Sequence, residues 1–429
     1  IAKVENIKFH AVGLSVDQVT VNGEKIKFEV TDGILTLFKV PRSDLIVEIG
    51  YHGHLNENMQ GAYLSTYEYK GSTETIVATQ FESHYAREAF PCIDEPGAKA
   101  VFELTITTTD DKDLILSNTP VLDKEDNKTI FEPTPRMSTY LLAWVIGKFH
   151  GKTIKNAHGV EITTYATLAQ DLGAVDFANE IAAKSLEFYD DNFGVPYPLE
   201  KCTQVALPDF EAGAMENWGL VTYRESMLLA DKTVTLDTKK SIALTVAHEL
   251  SHQWFGDLVT MEWWDDLWLN ESFANMMEYV AIDAIEPDWH IWEQFSLAEA
   301  PMALNRDAID GVQSVHVAVN HPDEINTLFD GAIVYAKGAR LMVMLRKWLG
   351  DKDFSAGLQA YFETHQYGNT VGSDLWAALS TASGRDVSAF MTSWVDQPGY
   401  PVLSVTVDGD ELVLSQHQFF PGQGVDESR

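Results

Sequence analysis

Cysteine is nearly absent: Cys92 and Cys202 are the two in 429 residues. That excludes a disulfide framework. One bridge is possible by count, but reduced thiols in a cytosolic protein are the expectation. Long hydrophobic runs are missing as well. A membrane-spanning helix needs roughly 20 apolar residues, and the longest run here, Tyr140 to Gly147, reads as a buried strand or short helix. The opening IAKVENIKFH has no apolar signal core and no initiator Met. The chain is therefore expected to start partway through its gene product, in the cytoplasm, with a removed signal left open. Cations are scarce too: 30 Lys and Arg stand against 64 Asp and Glu, a net charge of −34. Such a surface repels phosphate backbones and anionic lipid, which argues against nucleic-acid and membrane partners. It mildly favours ligands with a positive end, although solubility accounts for most of the charge.

What is present is globular composition, 45% hydrophobic and 22% charged, in a length suited to two or three domains. Residues 1–148 read as an antiparallel β domain whose start is truncated. Asn22-Gly23 and Asp32-Gly33 mark tight turns between β-forming stretches. Asp44 to Tyr51 and Val101 to Thr107 predict further strands. Helical spacing takes over after about residue 150, from Leu172 to Phe193 and at about 238–255, 266–285, 333–349 and 352–365. A mainly helical domain over 149–396 is the expectation. From Pro401 to Phe420 the period returns to two around Asp408-Gly409, so 397–429 reads as the beginning of a further β domain.

His248-Glu249-Leu250-Ser251-His252 is the most informative stretch. It lies in a helix pattern that Asp237 or Thr238 can cap and Gly256 can end. Residues at i and i+4 share a helix face, so the two imidazoles can bind one Zn²⁺. Glu249 beside them is suited to take a proton from zinc-bound water. With 13 His in the chain, a chance HExxH is expected only about 0.03 times. Glu271, separated from His252 by 18 residues, can complete two imidazoles and a carboxylate if the next helix returns antiparallel, leaving a fourth position for water. Trp254, Trp263, Trp264 and Trp268 in between are expected in the core. Upstream, Glu211 to Gly219 (EAGAMENWG) offers glycines for close backbone approach and an extended stretch that could pair with a peptide as an added strand. Glu216 would then place a carboxylate near the reaction.

Taken in order, GAMEN at 213–217, HELSH at 248–252 and NES at 270–272 resemble the aminopeptidase N family of zinc metallopeptidases, the gluzincins. So do TQFESHYAREAFPCIDEP at 79–96 and VYAKGA at 334–339, and the wording is most similar to bacterial members. The resemblance covers nearly all of this chain, while the chain covers about half of a family member. It implies a thermolysin-like catalytic domain, one Zn²⁺ held by His248, His252 and Glu271, and Glu249 as general base. Tyr335 would stabilise the oxyanion. Glu82 and Glu216 would hold the substrate's free α-amino group, with Gln80 and residues Gly213, Ala214, Met215 and Asn217 lining the first positions. The implied activity is that of an alanyl-aminopeptidase-type exopeptidase acting on peptides with a free N-terminus. A related zinc epoxide hydrolase and a non-catalytic peptide-binding module are the competing readings. The resemblance also implies that 397–429 starts a β-sandwich and that C-terminal domains complete the cleft. A chain ending at Gly424-Val-Asp-Glu-Ser-Arg429 is then expected to bind zinc with low activity.

Overall fold

Asn22 and Gly23 have φ of 52° and 81°, the two left-handed residues that a tight hairpin needs, and they join strands Ser15–Val21 and Glu24–Lys25. Asp32 and Gly33 do the same at 51° and 74°, between Phe28–Thr31 and Ile34–Pro41. The computed structural model describes residues 4–41, 44–109 and 113–421; the tail Gly424 to Arg429 lies outside them. The chain divides into two units, Ile1–Glu187 with Tyr197–Gln253 and Tyr367–Asn369, and Phe188–Pro196 with Trp254–Gln366 and Thr370–Arg429.

The first unit is β-rich. Alternating apolar residues of its opening strands close one core of Ala11, Leu14, Val19, Val21, Leu35, Leu37 and Val40, as a period of two requires of half-buried strands. A four-stranded sheet follows in the order Leu114–Ser117, Trp144–Gly147, Ser72–Gln80, Gly61–Tyr69. Its register pairs Gly61 with Gln80, so Gln80 ends its strand at the sheet margin. The stretch 101–107 is shorter as a strand than its pattern predicts, pairing only at Thr105–Thr107.

A third sheet departs from the sequence reading. Its order is Phe149–Lys155, Glu161–Thr167, Lys201–Leu207, Leu220–Arg224, Ala214–Met215. The Lys201–Leu207 strand runs parallel to both neighbours. Its last six residues are all buried, Thr203 and Gln204 included. A parallel strand covered on both faces shows no alternation, so this region reads as non-strand from spacing alone. Ala214–Met215 pairs antiparallel with Leu220–Arg224 and forms the sheet's edge. Helix α1, Asp176–Phe193, lies in sequence between the two parallel strands, preceded by a 3₁₀ turn at Leu172–Val175. Helix α2, Leu236–Ser251, completes the unit.

The second unit is mainly helical. Helix α3, Trp268–Ile285, is buried along almost its entire length, so it belongs to an interior rather than a surface. Phe255 stacks on Phe273 at 4.5 Å between centroids, and Phe362 meets Phe255 at 4.7 Å. Trp254, Trp264 and Trp268 are core as expected, at 0–1% exposure. Trp263 is half-buried, its indole N–H donating to Val319 O at 3.0 Å. A π-helical segment, Gly331–Lys337, runs into helix Gly338–Leu349 where spacing alone predicts plain α-helix. Buried Lys337 ties that segment to Asp307 at 2.8 Å. The final ribbon pairs Pro401–Asp408 with Glu411–Gln418, turning at Gly409-Asp410, one residue later than expected. Leu403, Val405, Val407, Leu412 and Leu414 lie on one face of it, each more than half exposed. No helix among the described residues is long and apolar enough to cross a membrane, and both cysteines are free and buried.

Candidate metal centre

Helix α2 begins at a cap that the sequence reading placed two or three residues too late. Thr235, extended at φ −72°, accepts the Thr238 N–H on its side chain at 3.1 Å, and Asp237 falls in the first turn, where a carboxylate suits the positive end of the helix dipole. In the last turn, the Ser251 hydroxyl donates to His248 O at 2.9 Å. The His248 and His252 rings meet edge to face at 4.8 Å, one turn apart on a common face. His248 is half-buried and His252 is 1% exposed.

Helix α3 contributes Glu271, 4% exposed. Buried polar residues recur along this helix: Asn270, Glu271, Ser272, Asn275 and Glu278 are all under 9%. Placing a carboxylate there is costly unless something compensates it. His248, His252 and Glu271 each offer one ligand atom, and these atoms lie within 4.8 Å of one another, a group that could hold a metal ion. Two imidazole nitrogens and one carboxylate oxygen are the donor set of an open, three-ligand zinc site, so the residues present fit that metal.

The residues expected at the substrate end are arranged by their own bonds. Gln80 donates to Met215 Sδ at 3.3 Å. Asp209, at the start of the 209–217 loop, accepts from Ser65 Oγ at 2.8 Å, and its carbonyl accepts the Tyr63 hydroxyl at 2.9 Å. Glu216 is 3% exposed, not the solvated turn residue that spacing alone would suggest, and Glu82 is half-buried two residues beyond its strand. Asn217 turns inward to donate to Thr222 Oγ1 at 3.2 Å. The two flanking glycines differ. Exposed Gly213 has open space where a Cβ would stand, whereas a Cβ on Gly219 would overlap Asn118 O and lie 2.7 Å from Leu199 Cδ1. Gly219 therefore serves packing, and of the two only Gly213 borders open space. Tyr335 is half-buried in the π segment; π turns recur at functional sites. Ser272, next to Glu271, donates to Val334 O at 2.6 Å.

Sequence reasoning missed several supporting residues. Lys201 Nζ donates to Ser117 O and Gly219 O, both at 2.8 Å, and to Thr203 Oγ1 at 3.3 Å. Loss of water around this ammonium pushes its pKa down to about 7. Asn118 Nδ2 donates to Trp218 O at 2.9 Å. Burial raises the Tyr223 hydroxyl well above the ordinary phenol value, with the Glu249 charge adding to the effect. The available signal was a polar residue inside an otherwise apolar stretch, too common to single any of these out.

Residues 177–394 match the peptidase family M1 domain and residues 2–141 the peptidase M1 N-terminal domain. The chain belongs to peptidase family M1. It is 55% identical over its whole length to aminopeptidase N of Lactococcus lactis subsp. cremoris, covering 51% of that protein. It is 48% identical over 99% of its length to aminopeptidase N of Lactobacillus delbrueckii subsp. lactis. Identity is 41% over 97% of its length to the tricorn protease-interacting factor F2 of Thermoplasma acidophilum. The chain spans about half the length of the curated relatives it matches.

Proposed function

We propose that the protein carrying this chain is a zinc-dependent aminopeptidase that removes the N-terminal residue of peptides. The observation that carries the reading is the convergence of His248, His252 and Glu271, in a family M1 chain. Those three side chains would hold one zinc ion. When bound, zinc supplies Lewis acidity, polarising a carbonyl and lowering the pKa of a water towards about 7.

The remaining work falls to the chain's own residues. Glu249 accepts the proton of the attacking water on its carboxylate and returns it to the leaving amine. Tyr335 donates its hydroxyl proton in a hydrogen bond to the oxygen on which negative charge develops. Glu216 and Glu82 neutralise the substrate's α-ammonium group, which needs charged partners once water is stripped away. That anchor sets where the cut falls. The edge strand Ala214–Met215 supports pairing with the substrate main chain, and Gln80 lines the pocket of the first side chain. We further assign a β domain to 1–148, the catalytic domain to 149–396 and the start of another β domain to 397–429. Two free, buried thiols support a reducing, cytoplasmic setting.

The test is hydrolysis of an aminoacyl chromophore by the full-length protein, with and without chelator and against the N-acetylated substrate. Turnover of the free amine that stops on chelation and returns with zinc is expected, with the acetylated compound untouched. Equal turnover of both compounds, or activity indifferent to chelator, would refute the reading.

A further inference from the structure

Gln253 follows His252 directly and is fully buried at 0% exposure. Its amide nitrogen donates to Glu216 O at 3.0 Å and to Glu249 O at 3.3 Å. Its amide oxygen accepts the Gly219 N–H at 3.4 Å. A primary amide has two N–H donors and one carbonyl acceptor, and here each has a partner. Turning the amide over would aim its oxygen at two carbonyl oxygens, so the contacts themselves fix its orientation. A carboxylate in the same place would present acceptors only, and a methionine would present no donor. The residue type is dictated by what it touches.

The two ends of this link are the two halves of the proposed chemistry. One is the backbone of Glu216, the ammonium anchor. The other is the backbone of Glu249, the general base, between His248 and His252 on one helix. The neighbouring carbonyls are held from elsewhere, Trp218 O by Asn118 and Gly219 O by Lys201. Losing the Gln253 amide therefore removes the hydrogen bond to Glu216 O, while Met215 stays in its strand pairing and residues 217–219 keep their other bonds. We infer that Gln253 is a positioning residue that sets the register of the Glu216 anchor against the metal-ligand helix, and thereby selects substrates whose free amine lies one residue from the scissile bond. This rests on the aminopeptidase reading above.

The experiment compares wild type, Q253E, Q253M, E216Q and Q253E/E216Q in the zinc-loaded full-length protein. KM and kcat are read on the aminoacyl chromophore, and metal content is measured alongside. Calorimetry on the metal-free protein reads the affinity for an amino-acid amide. With Q253E, KM and the dissociation constant of the amide rise about tenfold or more, since small misplacements of an anchor are costly. The expected change in kcat stays under about threefold, metal content holds, and the double variant is little worse than E216Q. An unchanged KM and amide affinity, a loss confined to kcat, or effects that multiply in the double variant would overturn the inference. If E216Q itself leaves amine binding unchanged, the anchor reading has failed and the inference falls with it. Should Q253E fail to fold, Q253M is judged on the same criteria. Failure of both to fold would make Gln253 a scaffold residue and overturn the proposal.

Discussion

Gly338→Ala probes the packing between Ser272 and the segment that bears Tyr335. A Cβ built on Gly338 would overlap Ser272 Oγ and stand 2.7 Å from Ser272 Cβ, inside the contact distance of two carbons. Overpacking of this kind costs about 1–3 kcal/mol. Displacing the Ser272 hydroxyl also endangers its bond to Val334 O, worth about 1 kcal/mol. Alanine's better helix propensity returns at most about 1 kcal/mol, less at a first helical position. The net is about 1–3 kcal/mol, or a fall in Tm of about 2–12 °C for a unit of this size. The assay is calorimetric melting of the G338A, S272G and S272G/G338A proteins. Ser272→Gly has its own cost, but it removes both overlapping atoms. Adding G338A to it should therefore cost almost nothing, a favourable coupling of about 1–3 kcal/mol. Because Tyr335 lies three residues before the site, kcat should fall in G338A and recover relative to S272G in the double variant. The reasoning is refuted if G338A melts within 1 °C of wild type, or if its cost is the same in both backgrounds.

Two further outcomes follow from the site's chemistry. Glu249→Gln should lower kcat by about 10²–10⁴ while zinc content, read by atomic absorption, stays at wild-type level; wild-type kcat would remove Glu249 as the base. Lys201 has a folded pKa of about 7 against an ordinary 10.5. Between those values the unfolded chain binds the extra proton, so this group makes stability rise with pH through that window, by up to about 1.4 kcal/mol per unit, and below about pH 7 the full cost of burying its charge is present. Lys201→Met should flatten the dependence of Tm on pH between about 7.5 and 9.5; an unchanged slope would show that Lys201 stays protonated in the folded protein.

The readable parts of this sequence were those whose signal is local. Helix α2 and its paired imidazoles follow from spacing at i and i+4, and the hairpins at Asn22-Gly23 and Asp32-Gly33 follow from residues that tolerate positive φ. The sheet around Lys201–Leu207 was illegible because burial on both faces erases the alternation that marks a strand. The exact cap was missed for a related reason: Thr235, Asp237 and Thr238 are all capping types, and backbone geometry at Thr235 chooses among them.

Glu271 shows the division most clearly. Its identity as a candidate came from order and distance along the chain, yet its burial and its approach to His248 and His252 are long-range facts. Spacing encodes what one helix presents on one face. It does not encode where another helix comes to lie, because that depends on packing summed over many residues far apart in the chain. For the same reason Gln253 and Ser272 look ordinary in the sequence, and only their folded partners, Glu216 and Val334, give them a role.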